Sequence, residues 1–204
     1  MVCDLVPVAG DGRRMRIGLL GGSFNPPHAG HLGIALRALH ALQLDQVWLL
    51  VSPGNPLKIG RDMAPFSERL QLTSELSDNP RILATAIEKR LGTRYAVDTV
   101  RQLRRRFPRV HFVWLMGTDV FAELPRWRSW KTFVHLLPIA VVPRPGSVAS
   151  ALHGASASFL RRFRLPPSRV VTLADQVPPA WAFLPGRQND ISATRLRLAR
   201  GRAF

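Results

Sequence analysis

A chain of 204 residues, 46% of them hydrophobic, has ordinary globular composition with enough apolar material for one core, which excludes wholly disordered and fibrous proteins. Charge is the unusual quantity: 29 Lys and Arg against 13 Asp and Glu give a formal +16, pointing to an anionic partner or to arginine-rich codon usage on a solvated surface. Lysine occurs only at Lys58, Lys89 and Lys131, so the excess is arginine, whose planar fork grips phosphate. The single cysteine, Cys3, cannot form an internal disulfide and fits a reducing cytoplasm. No apolar run approaches the ~18 residues a membrane span needs. Met1 to Arg14 carries Asp4 and Asp11 and lacks the basic-then-apolar order of a signal peptide. It is expected to be a flexible leader (1–14) ahead of one domain (15–204).

Along the chain, apolar runs alternate with helical periodicity. Met15 to Leu20, closed by Gly21 and Gly22, reads as a first strand, and Gly30 to Leu42 as a helix with Leu32, Leu36 and Leu39 apolar. Val47 to Val51 is a buried strand ended by Ser52-Pro53-Gly54-Asn55-Pro56. Pro65 to Leu76 suits a helix with proline in its first turn. Ile82 to Ala84 is a short strand. Ala96 to Arg106 is helical with Val97, Val100 and Leu103 on one face, and Val110 to Met116 is a strongly apolar strand stopping at Gly117. Ile139 to Val142 is another strand, between Pro138 and Pro143. Beyond Gly146 the pattern weakens: 150–164 suits a helix, Val170 to Leu173 a strand, and 192–200 a terminal helix. The alternation predicts an α/β fold, a Rossmann-like doubly wound parallel sheet flanked by helices, in a single domain with a small C-terminal helical region. In such folds the ligand lies at the carboxyl ends of the strands, which directs attention to the loops at 21–31, 52–61 and 117–130.

The first of these loops reads Gly21-Gly22-Ser23-Phe24-Asn25-Pro26-Pro27-His28-Ala29-Gly30-His31. It lacks the Gly-Lys-Ser/Thr ending of a phosphate loop and the spaced glycines of a dinucleotide fold. The glycines allow close backbone approach, Ser23 adds a hydroxyl, and two histidines sit three apart at a helix start, where free amides and the dipole favour an anion. Together they form a phosphate cradle. A metal held by His28 and His31 would need a third ligand, and no carboxylate or cysteine lies nearby in sequence, so no protein-held metal is expected.

The run ending His28-Ala29-Gly30-His31 resembles the H-x-G-H signature of the nucleotidyltransferase superfamily. Ile191-Ser192-Ala193-Thr194-Arg195-Leu196-Arg197, about 160 residues on, resembles that superfamily's I-S-S/A-T-x-I/L-R motif. Gly117-Thr118-Asp119 followed by Leu124-Pro125-Arg126-Trp127 is similar to a segment of bacterial nicotinate mononucleotide adenylyltransferases. So are Ser52 to Lys58, Pro65-Phe66 with Arg69-Leu70, Tyr95 with Asp98-Thr99, and Arg144-Pro145-Gly146. The resemblance covers about residues 15 to 200. It implies transfer of an adenylyl group from ATP to nicotinate mononucleotide with Mg²⁺, giving nicotinate adenine dinucleotide and pyrophosphate. The attacking phosphate is already an anion, so positioning and charge neutralisation suffice.

The resemblance also implies roles. His28 and His31 would hydrogen-bond ATP phosphates in the transition state. Gly21, Gly22, Ser23 and Phe24 would form the ATP cradle, with Lys58, Asp119, Ile191, Ser192, Thr194 and Arg197 completing it. Asn25, Thr93, Tyr95, Ala96 and Trp127 would bind the mononucleotide, Trp127 stacking on the pyridine ring. Each has a plainer alternative: loop charge for Lys58, a helix cap for Asp119, core packing for Trp127. Where the family often carries Ser-Tyr-Thr, this chain has Thr93-Arg94-Tyr95-Ala96, so Ala96 lacks a hydroxyl beside the pyridine carboxylate and Arg94 adds a cation. Pantetheine-phosphate adenylyltransferase shares both end motifs, but such chains are typically shorter and lack the central segment. A basic RNA-binding protein would explain +16, but no RNA-binding signature or interleaved surface aromatics are present. Neither nucleic acid nor a membrane is expected as partner, and a homo-oligomer remains open.

Overall fold

The computed structural model describes Asp4, residues 6–54 and residues 63–186. Among the described residues six strands form one sheet: β1 (Arg16–Gly22), β2 (Gln46–Val51), β3 (Ile82–Thr85), β4 (His111–Gly117), β5 (Ile139–Val142) and β6 (Trp181–Phe183). All neighbours pair in parallel in the order β3-β2-β1-β4-β5-β6, so the winding reverses between β1 and β4. The helices are α1 (Ala29–Ala41), α2 (Phe66–Ser74), α3 (Ile87–Arg90), α4 (Ala96–Arg106), α5 (Thr118–Glu123), α6 (Trp130–Val134), α7 (Val148–Leu152) and α8 (Ala155–Leu160).

Strands buried on both faces explain the unbroken apolar runs. Side-chain alternation sends Trp48, Phe112, Trp114, Ile139 and Val141 to one core, with Phe107, Phe121, Phe133 and Trp181. Val47, Leu49, Val113, Leu115 and Ala140 face the other, where Ile34, Ala35, Ala38 and Leu39 of α1 pack. The predicted face of α4 is the buried one, with Thr99 added to Val97, Val100 and Leu103.

Several expectations change. The first strand does not stop at Leu20: Gly21 and Gly22 are its last two residues. The single helix expected over 150–164 is broken at Gly154, which starts α8; a Cβ there would lie 2.6 Å from the Ser150 carbonyl oxygen. Val170 to Leu173 is not a strand but part of a 3₁₀ turn over Pro167–Asp175, opened by the fixed φ of its leading proline. The sixth strand is Trp181–Phe183, three residues long. The terminal helix expected at 192–200 lies outside the described residues.

The stretch expected as a flexible leader departs from that expectation where it is described. Val6 is fully buried in the core that also takes Val97, Val100 and Leu103 of α4. Asp4 Oδ2 accepts hydrogen bonds of 2.9 Å from Thr85 Oγ1 and from the Ala86 amide, and lies 3.1 Å from an Arg90 nitrogen. Arg90 also donates to the Val6 carbonyl at 2.8 Å. No described helix is long and apolar enough to cross a membrane.

Candidate active site

The reversal between β1 and β4 opens a crevice at the carboxyl ends of the strands, and the loop after β1 enters it. Phe24 holds a left-handed backbone (φ +48°) while its ring is buried, anchoring the loop in the core. The chain then delivers His28 to the N-cap of α1.

His28 and His31 form a reciprocal cap. The Gly30 amide donates to His28 Nδ1 at 3.1 Å, and the His28 amide donates to His31 Nδ1 at 3.3 Å. The ring centroids are 3.8 Å apart. Because each Nδ1 accepts, the neutral form of each ring carries its proton on Nε2. His28 is only 5% exposed, and burial lowers its pKa to about 4; the nearby Arg144 charge pushes the same way, against Asp119. At neutral pH His28 is therefore an uncharged Nε2–H donor.

The far wall comes from the loops after β4 and β5. A Cβ at Gly117 would fall 2.3 Å from Asp119 Oδ1 and 2.9 Å from Arg144 Cγ, so a side chain there would push both groups out of place. Thr118 is fully buried; its Oγ1 accepts from the Arg144 amide at 2.8 Å and lies 2.7 Å from Ser147 Oγ, locking the two loops together. Asp119, in the first turn of α5, is half-exposed and 4.0 Å from Arg144 Nε. Arg144 is a site residue that sequence motifs alone do not assign; its signal is position, two residues past the apolar strand β5.

Of the predicted ATP residues, Gly21, Gly22, Ser23, His28, His31 and Asp119 are gathered at this crevice, while Phe24 serves as a buried anchor touching His31 at a centroid distance of 4.7 Å. Lys58, Ile191, Ser192, Thr194 and Arg197 lie outside the described residues. Asn25 Oδ1 accepts from the Ala64 amide at 3.1 Å, tying the β1 loop to the approach of α2.

Of the predicted mononucleotide residues, Thr93, Tyr95, Ala96 and Trp127 form a second group, while Asn25 stays on the β1 loop. Trp127 is half-buried, edge-on to Trp114 at 6.0 Å and 5.5 Å from Phe133. Trp114 in turn underlies Gly21, where a Cβ would come within 2.9 Å of the indole. The Arg128 guanidinium sits 4.6 Å over the Tyr95 ring, joining the Trp127 loop to the start of α4. Tyr95 is the N-cap of α4, and Ala96 is its first residue. Thr93 turns inward, its hydroxyl 2.9 Å from Thr99 Oγ1, which donates to Glu88 Oε1 at 3.2 Å. Glu88 was not anticipated; burial raises its pKa to about 7, only partly opposed by the Thr99 hydroxyl.

A neutral imidazole donor, paired with a second histidine at the switch point of a parallel sheet and set beside a cluster of aromatic rings, marks a nucleotide-handling enzyme of the phosphoryl-transfer class. The cytidylyltransferase-like family profile matches residues 19–199. A Gluconobacter oxydans protein named "Probable nicotinate-nucleotide adenylyltransferase" is 59% identical over 90% of this chain and 94% of its own. A Gluconacetobacter diazotrophicus protein of the same name is 57% identical over 92% of this chain and 87% of its own. Among solved structures, Plasmodium falciparum nicotinic acid mononucleotide adenylyltransferase, complexed with NaAD, shares the fold at a TM-score of 0.68 and 15% identity, over 90% of this chain and 82% of that one. The chain belongs to the cytidylyltransferase-like family and, within it, to the nicotinate-nucleotide adenylyltransferases.

Proposed function

We propose that this chain transfers the adenylyl group of ATP to nicotinate mononucleotide, giving nicotinate adenine dinucleotide and pyrophosphate. The carrying observation is the capped histidine pair at the β1/β4 switch point, in a chain 59% identical to a relative of that name. An oxygen of the mononucleotide phosphate attacks the α-phosphorus of ATP in line. The new P–O bond forms as the bond to the β-phosphate breaks, and pyrophosphate leaves with the electron pair. The nucleophile is already ionised, so the protein need not remove a proton from it. The Nε2–H groups of His28 and His31 hydrogen-bond the phosphate oxygens on which charge accumulates. The neutrality of His28 spares that ring a proton loss during turnover, and the amides of Gly21 and Gly22 with the Ser23 hydroxyl cradle a neighbouring phosphate.

Mg²⁺ fits this donor set as a metal carried in on the phosphates, because Asp119 offers one carboxylate and Mg²⁺ favours few protein ligands plus phosphate and water. When bound, it would neutralise polyphosphate charge. The group around Tyr95, Ala96 and Trp127 takes the nicotinate ring, Trp127 by stacking and the start of α4 by its free amides, which compensates for the hydroxyl Ala96 lacks. The small anionic substrates suit a cytoplasmic enzyme that needs neither nucleic acid nor membrane as partner. Pyrophosphate release with ATP, Mg²⁺ and either nicotinate or nicotinamide mononucleotide tests the reading. Turnover with nicotinate mononucleotide is expected, and none with either acceptor overturns it.

A further inference from the structure

Arg69 lies on α2, outside every role assigned so far, yet is only 2% exposed. Arginine is almost never buried without a partner. Its partners here are backbone carbonyls: Nε donates to Ala64 at 2.9 Å, and one terminal nitrogen donates to Ser23 at 2.6 Å and to Ser52 at 2.9 Å. The Phe66 ring covers the guanidinium at 5.5 Å. No carboxylate among the described residues forms a salt bridge with it, and burial lowers its pKa.

The placement has two consequences. Ser23 opens the loop that leaves β1 at Gly22 and Ser52 opens the loop that leaves β2 at Val51, so one side chain fixes both loops and the approach of α2 in register. The charge also remains unneutralised by a carboxylate among the described residues, directly behind the cradle, where little water screens it. Removing an ion from water is costly unless an opposite charge offsets it. We propose that Arg69 is a positioning residue whose buried charge is balanced by the triphosphate of ATP across the Ser23 loop. An arriving polyphosphate meets a cation already desolvated and held in place, so the attraction requires no rearrangement. This inference rests on the adenylyl-transfer reading for its substrate, though its first test does not need turnover.

The test compares Arg69→Met with Arg69→Lys, which keeps the charge but cannot bridge three carbonyls. Thermal unfolding is followed with and without inorganic tripolyphosphate, and steady-state pyrophosphate release with ATP and mononucleotide varied separately. Tripolyphosphate should raise the melting temperature of the wild type and of Arg69→Lys but not of Arg69→Met. Arg69→Met should raise KM for ATP about 10- to 100-fold, the scale of a lost charged contact, with KM for the mononucleotide within about threefold. Arg69→Lys should recover at least tenfold of that loss. A folded Arg69→Met that keeps the tripolyphosphate shift overturns the proposal. If Arg69→Met does not fold, Arg69→Lys decides alone: loss of its shift refutes the charge role, and retention supports it. A wild type that shifts with tripolyphosphate but never turns over would sink the adenylyl-transfer reading while leaving Arg69 testable.

Discussion

Replacing Glu88 with glutamine isolates one buried ionisation. The carboxyl is about 8% exposed, accepts the Thr99 hydroxyl, and has its pKa raised from 4.5 to about 7. Between those values the folded protein keeps a proton that the unfolded chain has released. Stability from this group is therefore full below pH 4.5 and is lost as pH rises through about 7. At 1.36 kcal/mol per pH unit the gap is worth roughly 3 kcal/mol. Glutamine keeps the size and the acceptor oxygen but cannot ionise. Relative to its own difference from wild type at pH 4.5, the variant should gain roughly 3 kcal/mol by pH 8.5. For a domain of this size that is roughly 6–12 °C in Tm. Thermal unfolding followed by circular dichroism at pH 4.5, 6, 7 and 8.5 measures it. The difference between the proteins is the informative quantity, because His28 acts oppositely: its folded pKa of about 4 lies below the ordinary 6.5, so its contribution is lost as pH falls through that window. The two slopes partly cancel in the wild type. A difference between variant and wild type that stays constant across pH would refute the argument.

The remaining expectations concern the site. Ring resonances of His28 in NMR should titrate near pH 4 and show the Nε2–H tautomer from pH 5.5 to 8; a midpoint near 6.5 would mean the ring is hydrated. His31→Ala should lower kcat by roughly 10²–10³, the cost of one transition-state donor, and a loss below tenfold in a folded variant would remove His31 from that role. Trp127→Ala should raise KM for the mononucleotide more than KM for ATP, and the reverse ranking would assign the indole to the adenine side.

How much was legible in the sequence depended on how local the signal was. The strands β2, β4 and β5 announce themselves because both faces are buried, leaving no polar alternation to confuse the pattern. Trp181–Phe183 escaped because three residues carry no period, and Val170 to Leu173 misled because apolar residues in a proline-led turn imitate a strand. The histidine pair could be read because its geometry is a helix cap, set within four residues. Arg69 and Glu88 could not, since nothing in their neighbourhoods says that a charged side chain will be enclosed. Their burial follows from loops 17 and 46 residues away for Arg69, and from a hydroxyl 11 residues on for Glu88.

The grip of Asp4 on the start of α3 also has a consequence for how the chain is made. Its partners Thr85 and Ala86 stand 81 and 82 positions later. At a synthesis rate of roughly 5–20 residues per second, Asp4 is made on the order of ten seconds before anything exists for it to hold. That fastening therefore waits for β3 to be made, while the pairing of β1 with β4 and of β5 with β6 waits longer still. A bulky fusion placed ahead of Asp4 would compete with that late closure, on the side of the molecule that carries Glu88 and Thr93.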